Sequence, residues 1–278
     1  MNKQQGYRPA LSQLIGTFST TEGMEALTAY LVAHSNLPGP RGNLELAHSF
    51  ADAVAEGAGQ EAQGRWALCL ELAAIPPDRA PVNDSREFLP FCGTEGLGAL
   101  GAALPRYASP ALRELRRLAN DPRWRMREGV CFALQRLIAA RPQLALAALL
   151  SWTEDGSWLE LRAVAAGVAE PALLRDRAVA LLALDLHQLI LARVLESGER
   201  RTEPFKVLRK GLAYTLSVVV QALPEEGFAW LARLVETGDA DVLWIVRQNL
   251  AKNRLRKGFP IQVEALAARL ADSQGPKA

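Results

Sequence analysis

The sequence predicts an all-α fold of stacked helix pairs, and three observations carry that prediction. Apolar residues recur at mixed three- and four-residue steps, as in Val130, Phe132, Leu134, Leu137 and Ile138, and never hold a period of two for long. Apolar residues make up 49% of the chain and aromatics only 6%, with Ala and Leu dominant, the make-up of helices in close contact. Finally, one short run of residues returns. Asp121-Pro122-Arg123-Trp124-Arg125-Met126-Arg127 is echoed at identical offsets by Asp241, Trp244 and Arg247. Asp155, Trp158 and Arg162 repeat it with one more residue before the Arg.

Taken in order, 11–18 and 23–34 form a first helical pair, parted at 19–22, with Thr20 or Thr21 capping the second helix. The stretch 35–43 is too rich in Pro and Gly for a regular element. Asn43 then caps a helix over 44–56 whose Leu46, Phe50 and Val54 share a face. A helix over 60–75 ends at Pro76-Pro77, and a loop over 78–85 brings Asp84 as the next cap. The segment 86–104 is weakly helical, its Pro90 and its glycines permitting a kink or close packing. After a short Arg-rich helix over 110–120, Asp121 caps the next, with Pro122 at its first position, where a missing N–H is harmless. An apolar helix over 144–152 leads into the Asp155 copy, and Pro171 breaks the helix after it. A long helix over 177–195 and a turn over 197–202 precede Glu203…Arg209, a worn copy. Helices over 227–236, after Asp241 and over 261–270 close the chain before a tail at 273–278.

Charge divides the chain unevenly. Up to Pro105 there are 6 Lys and Arg against 11 Asp and Glu, so with a total of +2 the remainder carries +7. The expectation is a single domain over 1–278, irregular and acidic over 1–105, regular and basic over 106–272. Cys69, Cys92 and Cys131 are odd in number and lie among apolar neighbours, as buried free thiols of a reducing compartment do. The N-terminus lacks the basic-then-apolar order of a signal peptide, and no apolar run reaches the ~20 residues of a membrane helix. A cytoplasmic protein with no membrane partner is expected.

The markers Asn43, Asp84, Asp121, Asp155, Glu203 and Asp241 are spaced by about 40 residues on average. With Asp121-Pro122…Arg127 and Asp241…Trp244…Arg247, they give the chain a resemblance to HEAT-repeat proteins, clearest from Pro110 to Arg256. The resemblance implies a right-handed α–α superhelix of about six helix pairs, a solenoid with the marked helices on its concave side. It also implies that Asp121 with Arg127, Asp155 with Arg162, and Asp241 with Arg247 form a structural ladder between repeats, the planar guanidinium fork fixing the superhelical stagger.

The same residues permit a second reading. Trp124, Trp158 and Trp244 share a register, either as core packing or as stacking platforms. Arg123, Arg125, Arg162, Lys252 and Arg254 are candidate phosphate contacts of a concave groove beside them. Two basic clusters, Arg113 to Arg127 and Lys252 to Lys257, fit either solvated helix faces or a nucleic acid footprint. The segment Ser157-Trp158-Leu159-Glu160-Leu161-Arg162 resembles the Trp-x-x-x-Asp element of HEAT-like alkylpurine DNA glycosylases, but Arg162 stands where their carboxylate should be. That departure leaves nucleic acid binding open and counts against base release. His34, His48 and His187 lack metal-ligand spacing, and no phosphate loop, dinucleotide fingerprint or nucleophile elbow occurs. No metal, no cofactor and no catalytic residue is therefore expected. The leading function is a non-enzymatic scaffold for a protein partner; the alternative is a DNA- or RNA-binding protein related to those glycosylases.

Overall fold

The structure, a computed structural model, describes residues 3–272; the tail expected over 273–278 lies outside the described residues. Among these residues the chain is all-α, with 15 α-helices and no strand. It divides into two compact units, Met1–Ala145 and Leu146–Ala278, so the change of charge after Pro105 falls inside the first.

The first unit holds α1 (Lys3–Thr17), α2 (Thr21–Ala33), α3 (Leu44–Ala55), α4 (Ala62–Ala73), α5 (Phe88–Ala103), α6 (Pro105–Leu118) and α7 (Trp124–Ala140). Helix α1 packs on α3, α3 on α5 and α5 on α7, while α4 and α6 cover α5 as well. The odd-numbered helices thus stack on one another while the even-numbered ones lie alongside, the two-layer pattern of a helical repeat. Caps fall where the sequence puts them at three starts. Thr20 accepts from Gly23 N at 3.0 Å, Asn43 from Leu46 N at 3.1 Å, and Asp84 from Arg86 N at 2.9 Å.

Helix α5 departs from expectation. It is a full helix, buried at every position from Phe88 to Gly101. A helix enclosed on all sides has no polar face, so its sequence shows no amphipathic period. Pro90 is its third residue, where the amide has no helical acceptor to lose. The glycines bring backbones together: a Cβ at Gly93 would stand 2.5 Å from Ala73 N, and one at Gly98 2.5 Å from Ala133 Cα. The start of α7 also differs. Asp121 and Pro122 lie before the helix, which begins at Trp124. The Asp121 carboxylate is held in the turn itself, accepting from Arg123 N at 2.8 Å and from the Arg123 guanidinium at 2.9 and 2.7 Å.

Helix α8 (Pro142–Asp155) runs into the second unit, which continues with α9 (Trp158–Val168), α10 (Arg177–Glu196), α11 (Glu203–Ala222), α12 (Pro224–Glu236), α13 (Ala240–Leu250), α14 (Asn253–Gly258) and α15 (Pro260–Asp272). Here α9, α11 and α13 stack, with α10 and α12 packed along α11. Two buried polar side chains tie α11 to its neighbours. Asn249 Nδ2 donates to Leu212 O and Ile245 O at 2.8 Å each, and its Oδ1 accepts from Ser217 N at 2.8 Å. His187 is fully buried; Nδ1 faces Ala183 O at 2.7 Å and so donates, leaving Nε2 to accept from the Thr215 hydroxyl at 2.9 Å. Burial pushes this imidazole down to about 4, although the Ala183 carbonyl opposes the shift. By length and composition alone α10 could cross a membrane, yet half of that window is buried within the fold.

Candidate functional site

Arg123 and Arg125, candidate phosphate contacts in the sequence, are interior groups, 2% and 5% exposed. Arg123 is held by Asp121 and donates to Ala80 O at 3.2 Å. Arg125 donates to the fully buried Glu87 at 2.8 Å and to Gly39 O at 2.6 Å. A guanidinium so neutralised and covered cannot reach a phosphate, which corrects that assignment. The Trp124 ring is 43% exposed, with the Arg125 Cζ 4.4 Å from its centroid, so it is not core packing.

The expected ladder residues anchor their turns and helices in several ways. Arg127 Nη1 donates to Asp121 O and Pro122 O at 2.8 and 2.9 Å, fastening its own turn through the backbone. Asp241 takes Arg209 at 2.6 Å and Arg200 at 3.8 Å, not Arg247. Both Asp241 and Arg247 lie within α13. Six residues along a helix turn a side chain about 240° from its start, away from the same face. Arg247 instead lines a groove with Arg256 and Leu270. Asp155 ends α8 as an exposed residue, and Arg162 packs on α11, its Cγ 3.3 Å from where a Gly211 Cβ would stand.

What the second unit does assemble is a basic, aromatic face on α11, α13 and the start of α14. Arg209 of α11 lies over Trp244 of α13, Cζ to centroid 4.1 Å, while paired with Asp241. One turn and a residue further along α11, Tyr214 is 49% exposed and carries two cations. Lys252 Nζ and Arg254 Cζ sit 5.6 and 4.9 Å from its centroid, and Arg254 Nη2 donates to the Tyr214 hydroxyl at 2.6 Å. Among the described residues, Lys210, Lys252 and Arg254 have no carboxylate partner. The fold therefore gathers Trp244, Lys252 and Arg254 around α11, with Arg162 beside Gly211. Trp158 stands at the start of α9, edge-on to Phe205 at 5.5 Å, with Arg193 5.8 Å from its centroid, in a wide groove with Ser157 and Thr202. Sequence reasoning missed the platform residues Lys210 and Tyr214, whose signal was the four-residue spacing of Lys206, Lys210 and Tyr214.

The first unit presents a different surface. Leu44, His48 and Asp52 on α3 face Trp124, Glu128, Phe132 and Arg136 on α7, each set spaced by four. Arg136 reaches Asp52 at 2.6 Å and His48 O at 3.3 Å. His48 Nδ1 lies 2.7 Å from Oε2 of the fully buried Glu95, and its ring meets Phe132 edge-on at 5.1 Å. Among the described residues no group of three or more His, Cys, Asp or Glu side chains is placed to hold a metal ion.

No family model and no curated protein matches the chain. Among solved structures the chain is similar to the crystal structure of an engineered protein, at 15% identity and a TM-score of 0.37. That match covers 90% of this chain and 97% of the other, a likeness too distant to bear on function.

Proposed function

We propose that the chain is a non-enzymatic, HEAT-like binding protein that holds a polyanion, with a nucleic acid strand as the partner class, on the face formed by α11, α13 and the start of α14. The observation that carries this reading is the exposed Tyr214 ring bearing Lys252 and Arg254, cations that no carboxylate among the described residues neutralises. An aromatic face stacks a base of any sequence, and flanking cations take the phosphates on either side of it. Nothing here is spaced to read base edges, so the binding is electrostatic and indifferent to sequence.

Contacts by Lys210, Lys252 and Arg254 would each release counterion, at a salt slope of about −0.7 per contact on a single strand. Fluorescence anisotropy of a labelled single strand, titrated across salt, should therefore give a slope near −2, from ~0.7 for each contact. Lys252→Glu with Arg254→Glu should weaken binding at least tenfold and flatten the slope. Salt-independent binding, or binding unchanged in that double variant, would reject this face. Because Arg162 occupies the place of the glycosylase carboxylate, methylated DNA should release no base; measurable 3-methyladenine release would overturn the non-enzymatic reading.

A protein scaffold is the second reading, favoured by the exposed Leu182 and Leu189 on α10, at 43% and 42%. They lie two turns apart on one side of the helix, as anchors for a partner helix do.

A further inference from the structure

The stack of the second unit closes on a short helix. Helix α11 covers α9 and α13 covers α11, but α13 is followed by α14, only six residues long, and then by α15, which meets α12, α13 and α14. Between α13, α14 and α15 this leaves a groove of about 450 Å³. Leu250 of α13 lines it, with Val263, Ala267 and Leu270 of α15, whose four- and three-residue steps turn one stripe of that helix toward the groove. The remaining lining is alanine apart from two cations, Arg247 of α13 and Arg256 of α14. Among the described residues neither guanidinium has a carboxylate partner, and no Asp or Glu lines the groove. Arg254 and Arg256 lie two residues apart on α14, a turn of about 200°, so Arg256 points away from the Tyr214 ring that Arg254 holds.

Size and chemistry narrow the occupant. Two cations without an acid call for an anion, and the planar guanidinium fork suits a carboxylate. Leu, Val and Ala offer no ring on which a base or another aromatic group would stack, so the apolar part of the ligand is aliphatic. A partner helix is too thick: at a diameter of ~10 Å, this volume holds about one turn. At ~30 Å³ apiece, a water's share of the liquid and close to that of a methylene, the same space holds about 15 such groups in a chain. We propose that this groove binds a free single-chain alkyl carboxylate, a fatty acid of about ten to twelve carbons by that volume. Its chain lies along the α15 stripe and its carboxylate accepts from Arg247 and Arg256. The site uses neither the ring nor the cations of the polyanion face, and it stands or falls independently of that reading.

The test is isothermal titration of the full chain with decanoate, hexanoate and decan-1-ol, each kept below the concentration at which it self-associates. Decanoate should saturate the protein at one site, and decan-1-ol, which lacks the charge, should bind at least tenfold more weakly. Each methylene fully removed from water tightens binding about fourfold. In an open groove roughly half of that free energy applies, about twofold per methylene, so hexanoate, four methylenes shorter, should bind about tenfold or more weakly than decanoate. Ala267→Trp, at an exposed position of α15, fills the groove and should weaken decanoate at least tenfold with the far-UV circular dichroism unchanged. Arg247→Gln with Arg256→Gln should erase the preference for decanoate over decan-1-ol. Absence of saturable decanoate binding, equal binding of decan-1-ol or of hexanoate, or decanoate binding unaffected by Ala267→Trp would each overturn the proposal. Should a variant fail to fold, the ratios of decanoate to decan-1-ol and to hexanoate on the unaltered protein decide it alone.

Discussion

Replacing Arg125 by methionine would leave Glu87 charged and alone in the first unit. The carboxylate is fully buried; Oε2 would keep its bond from Asn83 N at 2.7 Å, but Oε1 already has no partner. Removing one member of a buried pair costs ~3–5 kcal/mol, most of it the uncompensated charge. The lost bond to Gly39 O adds about 1 kcal/mol. Against a domain stability of ~5–15 kcal/mol this is a large fraction. At roughly 2–4 °C per kcal/mol for a domain of about this size, melting should fall by about 10 °C or more. Scanning calorimetry of the full chain reads this directly. The double variant Glu87→Gln, Arg125→Met removes both charges and should regain most of the loss, because the cost lies in the stranded carboxylate. A single variant melting within ~2 °C of the parent, far below the shift expected for a stranded charge, would refute the reasoning. So would a double variant worse than the single one.

Two further outcomes arise from the interior. His187 titrates near 6.5 when unfolded and at about 4 when folded. The unfolded chain therefore takes up the proton first, and stability is full above pH 6.5 and declines as pH falls toward 4, by about 3 kcal/mol at ~1.4 kcal/mol per unit. Urea midpoints for the parent and His187→Gln should diverge across that window, and parallel curves would show that the imidazole is not buried. Gly98→Ala should destabilise by ~1–3 kcal/mol, since its Cβ would meet the Ala133 backbone at 2.5 Å. Gly16→Ala, with nothing within 4 Å, should instead stabilise slightly, by up to ~1 kcal/mol. Thermal melts of the two compared side by side would expose any error in that contrast.

The helical class and most helix positions were legible because amphipathic periodicity survives wherever a helix has a wet side. Helix α5 has none, so its period vanished and its glycines read as weakness, although they are what allow Ala73 and Ala133 to approach. Helix α14 escaped notice because six residues, several of them basic, carry no periodic signal. Sequence proximity also favoured the wrong partner for Asp241. Asp121 and Asp241 do pair with arginines, but Asp241 draws Arg209 from the preceding stacked helix, a choice only packing reveals. The pairing of His48 with Glu95, 47 positions apart, was beyond any spacing rule.

The stacked cations of the second unit bear on how a partner would be received. Arg209 is fixed by Trp244 and Asp241 together, and Arg254 is fastened to the Tyr214 hydroxyl. Free arginine side chains carry ~2 kcal/mol of rotamer entropy, which a disordered basic surface would surrender at each contact. Here that loss has already been taken in folding. A strand docking on this face would meet preorganised donors, and its residence time would reflect the contacts themselves rather than the ordering of the surface that makes them.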